Sequence, residues 1–167
     1  MIEKFLEKIL IQPFLKKITE KIQRKCGIED EEVNQKRKKL EKEDPDVFGF
    51  SDYLKSLDWV FPINCFNTLK KCKLPFEYFN VLTRTVFSIY QTIEKQMENR
   101  EDQVSNQLIS GDDFLSIFIY LICHSDINNL QTITEFMVSY SDPSEFANET
   151  GYYLTTFCTA VEFIKNQ

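Results

Sequence analysis

The residues best placed to do chemistry are two adjacent carboxylates, Asp112 and Asp113, directly ahead of the apolar run Phe114-Leu115-Ser116-Ile117-Phe118-Ile119-Tyr120-Leu121-Ile122-Cys123. A helix starting there has no polar stripe, so it belongs inside other helices with only its N-terminus at solvent. Ser110 and Asp113 stand in the Ser-x-x-Asp relation of a capping box, the serine accepting from the backbone and the acid reaching back. Asp112 is left without a capping duty. An acid in that position either complements the helix dipole or presents negative charge outward from a rigid support.

Other combinations carry less. Tyr152 opens the last helix with ring area and a hydroxyl, and Thr155 follows one turn later on the same side. From the residues alone Tyr152 reads as a half-buried bundle position, and Tyr153 packs inward. Cys123 and His124 are adjacent, but neighbours on a helix point apart, so they do not form a nucleophile and its base. Glu77, Glu94 and Glu98 read as a solvated face. The five cysteines, Cys26, Cys65, Cys72, Cys123 and Cys158, contain no Cys-x-x-Cys pair, and His124 is the sole histidine. No metal site or cofactor is expected from that set, and the odd count suits a reducing compartment.

The elements that position these residues are helices. Four Gly and five Pro in 167 residues are few for a turn-rich β fold, so the expected class is all-α, a helical bundle with a layered C-terminal core. The length suits one domain. Fifteen Phe and seven Tyr exceed the needs of a minimal core, which assigns some of them to a binding surface.

Charge narrows the partner. A net −6 argues against nucleic acid, which demands a concentrated basic footprint. Residues 1–25 carry seven Lys/Arg against three Glu, or +4, leaving 13 against 23, or −10, in residues 26–167. Only the N-terminal segment favours an anionic surface. Its apolar residues Ile2, Phe5, Leu6, Ile9 and Leu10, then Phe14, Leu15, Ile18 and Ile22, recur at helical spacing around Pro13. They predict two helices or one kinked helix ending near Gly27 and packed on a bundle, preferred over the alternative in which the segment, with Lys4, Lys8, Lys16, Lys17 and Lys21 on the opposite face, lies on a membrane. The apolar runs fall short of a membrane span and Met1-Ile2-Glu3-Lys4 lacks a signal peptide's layout, so the expectation is a soluble cytoplasmic protein.

Residues 29–44 are mostly charged, which predicts a solvated helix or linker stopped before Pro45. Phe48 and Phe50 flank Gly49 in a turn, and short helices follow through Tyr53 and Leu57 and after Pro62. A long helix is expected from Phe76 to Met97 with Phe79, Leu82, Val86, Ile89, Tyr90 and Ile93 inward. Residues 98–109 form a polar connection. Helices from Asp112, from Asn128 to Tyr140, and from an Asn148 cap to the C-terminus complete the chain.

The C-terminal part resembles the vacuolar protein sorting nine domain, an exchange-factor module for Rab GTPases of the early endosomal branch. Three stretches carry the likeness. Gly111-Asp112-Asp113-Phe114-Leu115 with Ile119-Tyr120 is similar to the family's Ala-Asp-acid-Phe-Leu-Pro and Ile-Tyr. Asn129-Leu130-Gln131 with Asp142-Pro143-Ser144 is similar to its Asn-Leu-Gln and Asn-Pro-Ser. Glu149-Thr150-Gly151-Tyr152-Tyr153-Leu154-Thr155, ending in Ala160-Val161-Glu162-Phe163-Ile164, is the most specific. Good likeness covers residues 73–166, opening on Lys73-Leu74-Pro75-Phe76-Glu77, with a faint one back to about residue 29.

The resemblance implies that Asp112 is an acidic finger, that Tyr152 acts beside it against the GTPase switch region, and that Gly151 and Thr155 belong to the GTPase-binding surface, with Ser110 and Asp113 as caps. It implies supporting helices in 1–50 and an exchange core in 51–167, together one compact unit, in a cytoplasmic protein that associates peripherally with endosomal membranes. This chain departs from the family pattern at Ser116 (usually proline), at Ile127-Asn128 (a Pro-Pro pair) and at Ser139 (a basic residue). The first two alter loop and helix-start geometry, and the third removes a GTPase contact. The alternative they motivate is a GTPase-binding scaffold that keeps the fold without exchange activity.

Overall fold

A computed structural model describes residues 2–97 and 109–167. Every regular element among them is helical. The helices are α1 (Ile2–Leu10), α2 (Leu15–Leu40), α3 (Asp52–Lys55), α4 (Val60–Phe66), α5 (Pro75–Met97), α6 (Gly111–Cys123), α7 (Leu130–Tyr140) and α8 (Glu149–Lys165). Short 3-10 turns at Gln12–Phe14, Pro45–Phe48, Asn67–Lys71 and Pro143–Ala147 join or flank them.

α6 lies at the centre. Phe114, Ile117, Phe118, Ile119, Leu121, Ile122 and Cys123 are buried along it, as a helix without a polar stripe requires. α8 packs along one side of α6, while α4, α2 and the Pro45–Phe48 turn close the others. That turn reverses at Gly49, whose φ of 72° lies in the left-handed region. The reversal buries Phe48 and Phe50 against Tyr120, with ring centroids 5.2 and 5.3 Å away. α5 covers α4 and α8 and also touches α7. One hydrophobic cluster runs from Ile22 to Ile164.

Four expectations need correction. The N-terminal helices do not end near Gly27: α2 continues through it to Leu40 and, with 26 residues, is longer than α5. Nothing crowds Gly27, and a lone glycine costs a helix only about 1 kcal/mol, which packing elsewhere on α2 offsets. Second, residues 29–40 are helical, as one of the two readings had it, but not as a solvated helix. Val33 and Leu40 are buried, and so are Asp30 and Arg37, which share one face of α2 two turns apart.

Those two charges hold the α6–α7 connection. Asp30 Oδ1 accepts from the N–H groups of Gln131 and Thr132 at 2.7 and 3.3 Å, and Oδ2 from the Thr132 hydroxyl at 2.6 Å. It thereby caps the N-terminus of α7 from another helix. Arg37 donates to the carbonyls of Cys123 at 3.2 Å and of Ser125, where α6 ends, and to Asn128 Oδ1 at 3.4 Å. Side chains thus satisfy both ends of a break in the helical backbone. The family departures Ile127 and Asn128 lie in this connection, Ile127 fully buried and Asn128 bonded to Arg37 and, through its carbonyl, to Asn34 Nδ2 at 2.6 Å.

The third correction concerns α1 and the corner after it, whose apolar side is not packed: Phe5, Leu6, Ile9, Leu10 and Phe14 are exposed. The fourth is Tyr90, expected inward and found 49% exposed. Its neighbours Val86 and Ile89 take the inward positions. The expected connection at 98–109 lies, but for Ile109, outside the described residues.

Candidate functional site

The first turn of α6 is built as a capped, rigid support. Ser110 Oγ accepts from the Asp113 N–H at 3.0 Å and donates to Asp113 Oδ2 at 2.8 Å. Asp113 Oδ1 accepts from the Ser51 hydroxyl, also at 2.8 Å. Asp113 therefore takes its bonds from two hydroxyls instead of reaching back to the Ser110 backbone, and it ties α6 to the segment ahead of α3. Asp112 is exposed beside it. Its position one residue into the helix puts negative charge where the helix dipole favours it.

The first turn of α8 lies alongside. Asn148 Oδ1 accepts from the Thr150 N–H at 3.0 Å, and the Thr150 hydroxyl donates to Glu145 Oε2 at 2.8 Å. The Pro143–Ala147 turn is thus fastened to the start of α8. Gly151 is what lets the two approach: a Cβ there would stand 2.5 Å from the Phe146 carbonyl oxygen, closer than real side chains come. Gly151 is buried and has this packing reason whatever else touches it.

Tyr152 and Thr155 are exposed on one side of α8, and Tyr153 is buried. Tyr152, 52% exposed, stacks on Phe114 with centroids 5.7 Å apart and planes at 15°. Tyr153 leans on the same Phe114 at 6.2 Å and donates its hydroxyl to Glu149. Burial and the Glu149 carboxylate push its phenol well above the usual range. The Thr155 hydroxyl donates to the Gly151 carbonyl at 2.9 Å.

The structure therefore brings Asp112 and Tyr152, 40 residues apart in sequence, to adjoining helix starts through Phe114. It also adds residues that the sequence reading missed. Tyr90 on α5 also stacks on Phe114, at 6.5 Å and 23°, and Phe87, one turn earlier on α5, is 63% exposed. Tyr90 and Tyr152 expose aromatic surface around Phe114, two residues after an exposed acid, and Phe87 is exposed one turn from Tyr90 on α5, a composition that suits a protein-docking face. One signal was available. Phe87 falls in phase with Asn80, Thr83, Arg84 and Glu94, all exposed, so it is an aromatic on the polar stripe of its helix.

Cys123 is fully buried, and burial pushes its thiol up to about 12, which removes it as a nucleophile. His124 Nδ1 contacts the Tyr120 carbonyl at 2.9 Å. Among the described residues no group of three His, Cys, Asp or Glu is placed to hold a metal ion, and no helix is long and apolar enough to cross a membrane. Ser116 faces the Gly49 turn. Ser139 is exposed and donates to Glu135 at 3.2 Å.

These features define a helical module with an acid and aromatic side chains on adjoining helix starts. The family model for the vacuolar sorting protein 9 (VPS9) domain matches residues 59–167, and the chain belongs to that family. It is 34% identical over 101 residues to Ras and Rab interactor 2 of Homo sapiens, covering 60% of this chain and 10% of that protein. It is 33% identical over 72 residues to the Rab5 GDP/GTP exchange factor of Mus musculus, covering 42% of this chain and 15% of that protein. To protein sprint of Drosophila melanogaster it is 34% identical over 59 residues, 35% of this chain and 3% of the relative. The chain thus spans only a small part of the length of these relatives.

Proposed function

We propose that this chain is a guanine-nucleotide exchange factor for a Rab-family GTPase of the early endosomal branch, with Asp112 as the acidic finger. Exchange breaks no covalent bond. Guanine nucleotide is held by magnesium and by the P-loop lysine gripping its phosphates. A carboxylate brought to that site pairs with the lysine and competes with phosphate and metal by charge and volume. The task needs one exposed acid on a support that does not yield.

The observation that carries this reading is Asp112, exposed on the first turn of an otherwise buried helix, with Tyr152 stacked on Phe114 of the same turn. In the proposal Tyr152, Thr155, Tyr90 and Phe87 receive the apolar switch region, while Gly151 sets the angle of α8. Residues 1–50 support the 51–167 core as one unit, chiefly through Asp30 and Arg37. The protein works from the cytoplasm, peripherally on endosomal membranes. The relative named as a Rab5 GDP/GTP exchange factor makes Rab5 the first GTPase to try.

The test is release of labelled GDP from a panel of Rab GTPases with native protein and with Asp112→Ala. Stimulated release from at least one Rab, abolished by the substitution, is expected. If no Rab responds, or the substitution changes nothing, the exchange reading fails. A second reading, a silent GTPase-binding scaffold, is favoured by Ser139, exposed where the family carries a basic residue. It would show as Rab binding without accelerated release.

A further inference from the structure

α1 stands out as an apolar surface that nothing else in the described chain covers. Phe5, Leu6, Ile9, Leu10 and the corner residue Phe14 are each between 45% and 64% exposed. Four of them fall within α1 at helical spacing and form one face, so the exposure is not scattered. The helix is nonetheless held. On its other side Glu7 Oε2 accepts from the Phe76 N–H at 3.0 Å, at the start of α5. Burial raises the Glu7 carboxyl, as do the nearby acids Glu145, Glu77 and Asp142, while the Phe76 amide opposes them. The apolar face therefore points away from the body of the protein.

Cations accompany it. Lys8 flanks the apolar face of α1, Lys16 and Lys17 follow Phe14, and Lys21 and Arg24 continue from Lys17 at helical spacing. All five are exposed. None forms an ion pair within the described chain, whereas Lys25, Lys55, Lys70 and Lys165 each do. The segment carries +4 and the remainder −10, so an anionic surface attracts this end and repels the rest.

We propose that α1, the Phe14 corner and the lysines beside them form a docking surface for an anionic lipid membrane. The apolar residues are each about half exposed along one helix face and the corner after it. A fluid interface covers such a face by taking its side chains below the headgroups while lysines meet lipid phosphates. The negative remainder then faces the cytosol, which orients the chain. This surface does not rest on the exchange reading, and its test reads lipid instead of nucleotide.

The experiment is flotation of the full chain with vesicles of phosphatidylcholine alone and of phosphatidylcholine and phosphatidylserine in equal parts. Binding is expected to the anionic vesicles only, and to weaken as salt shortens the screening length. Ile9→Ser with Leu10→Ser should remove it. Lys17→Glu with Lys21→Glu, on α2 and so independent of whether α1 stays folded, should lower the partition coefficient at least about twentyfold, since each cation near such a surface is worth about fivefold. Equal binding to both vesicle types, no binding, or binding unchanged in the lysine variant overturns the proposal. So does a concentration-dependent dimer in sedimentation that Ile9→Ser with Leu10→Ser abolishes, which would assign the face to a second copy of the chain.

Discussion

Phe114, buried on the first turn of α6, and Tyr152, half exposed on the first turn of α8, stack at 5.7 Å with nearly parallel rings. The stack couples the two helix starts, because Phe114 is held in the core and Tyr152 lies against its ring. An acid two residues before Phe114 thereby acquires a constant relation to Tyr152.

For Tyr152 the ring is expected to matter more than the hydroxyl. Tyr152→Phe keeps the stack and should retain most of the exchange activity. Tyr152→Ala should cost about 2 kcal/mol in kcat/KM for GDP release, roughly thirtyfold, as truncating an aromatic anchor does. Equal loss in the two variants would shift the role to the hydroxyl.

The neighbouring acids should separate by assay. Asp113→Ala loses the bonds to Ser110 and Ser51 and should lower stability by about 1 kcal/mol, the usual worth of a capping interaction. Asp112→Ala should give up only the helix-dipole contribution of an exposed acid, a few tenths of a kcal/mol, and abolish exchange. Denaturant titration and GDP release on both variants check the division.

Gly151→Ala is expected to destabilise by about 1–3 kcal/mol, the cost of overpacking, because the new methyl meets backbone at Phe146, which cannot swing aside. A drop in the urea midpoint at unchanged slope would show it.

Asp30 should carry a pH signature. Burial raises its carboxyl above the ordinary 3.8, with the Thr132 hydroxyl and the Thr132 and Gln131 amides opposing. The folded chain then binds its proton more tightly than the unfolded chain. This contribution to stability is fully present below 3.8 and is lost as pH rises through the raised value. Asp30→Asn removes the dependence, so the native-minus-variant difference in unfolding free energy should fall across that window and then level. A difference that rises with pH would contradict the sign. Asp30→Ala, which strands two amides, should cost about 1–3 kcal/mol at neutral pH.

Much of this was legible in the sequence, for a physical reason. Helical periodicity, caps and breakers act over a few residues, so α6, α7 and α8 and their inward faces could be read from Phe114 to Ile164. The Ser110–Asp113 and Asn148 caps are local too. Gly151-Tyr152-Tyr153 and Gly111-Asp112-Asp113 carried the family because spacing along the chain is all a motif needs.

What the tertiary structure decided depends on groups far apart in sequence. Asp30 and Arg37 looked like two charges among many, since their acceptors and donors lie 86 to 102 residues away. Tyr90 shared the periodicity of a core position but stands half exposed, its ring laid against Phe114 of α6. On α1 the same apolar spacing that buries α6 is left in the open, because the described chain offers nothing to lie against it. Periodicity states that a face is apolar; only the packing of the other helices states what covers it.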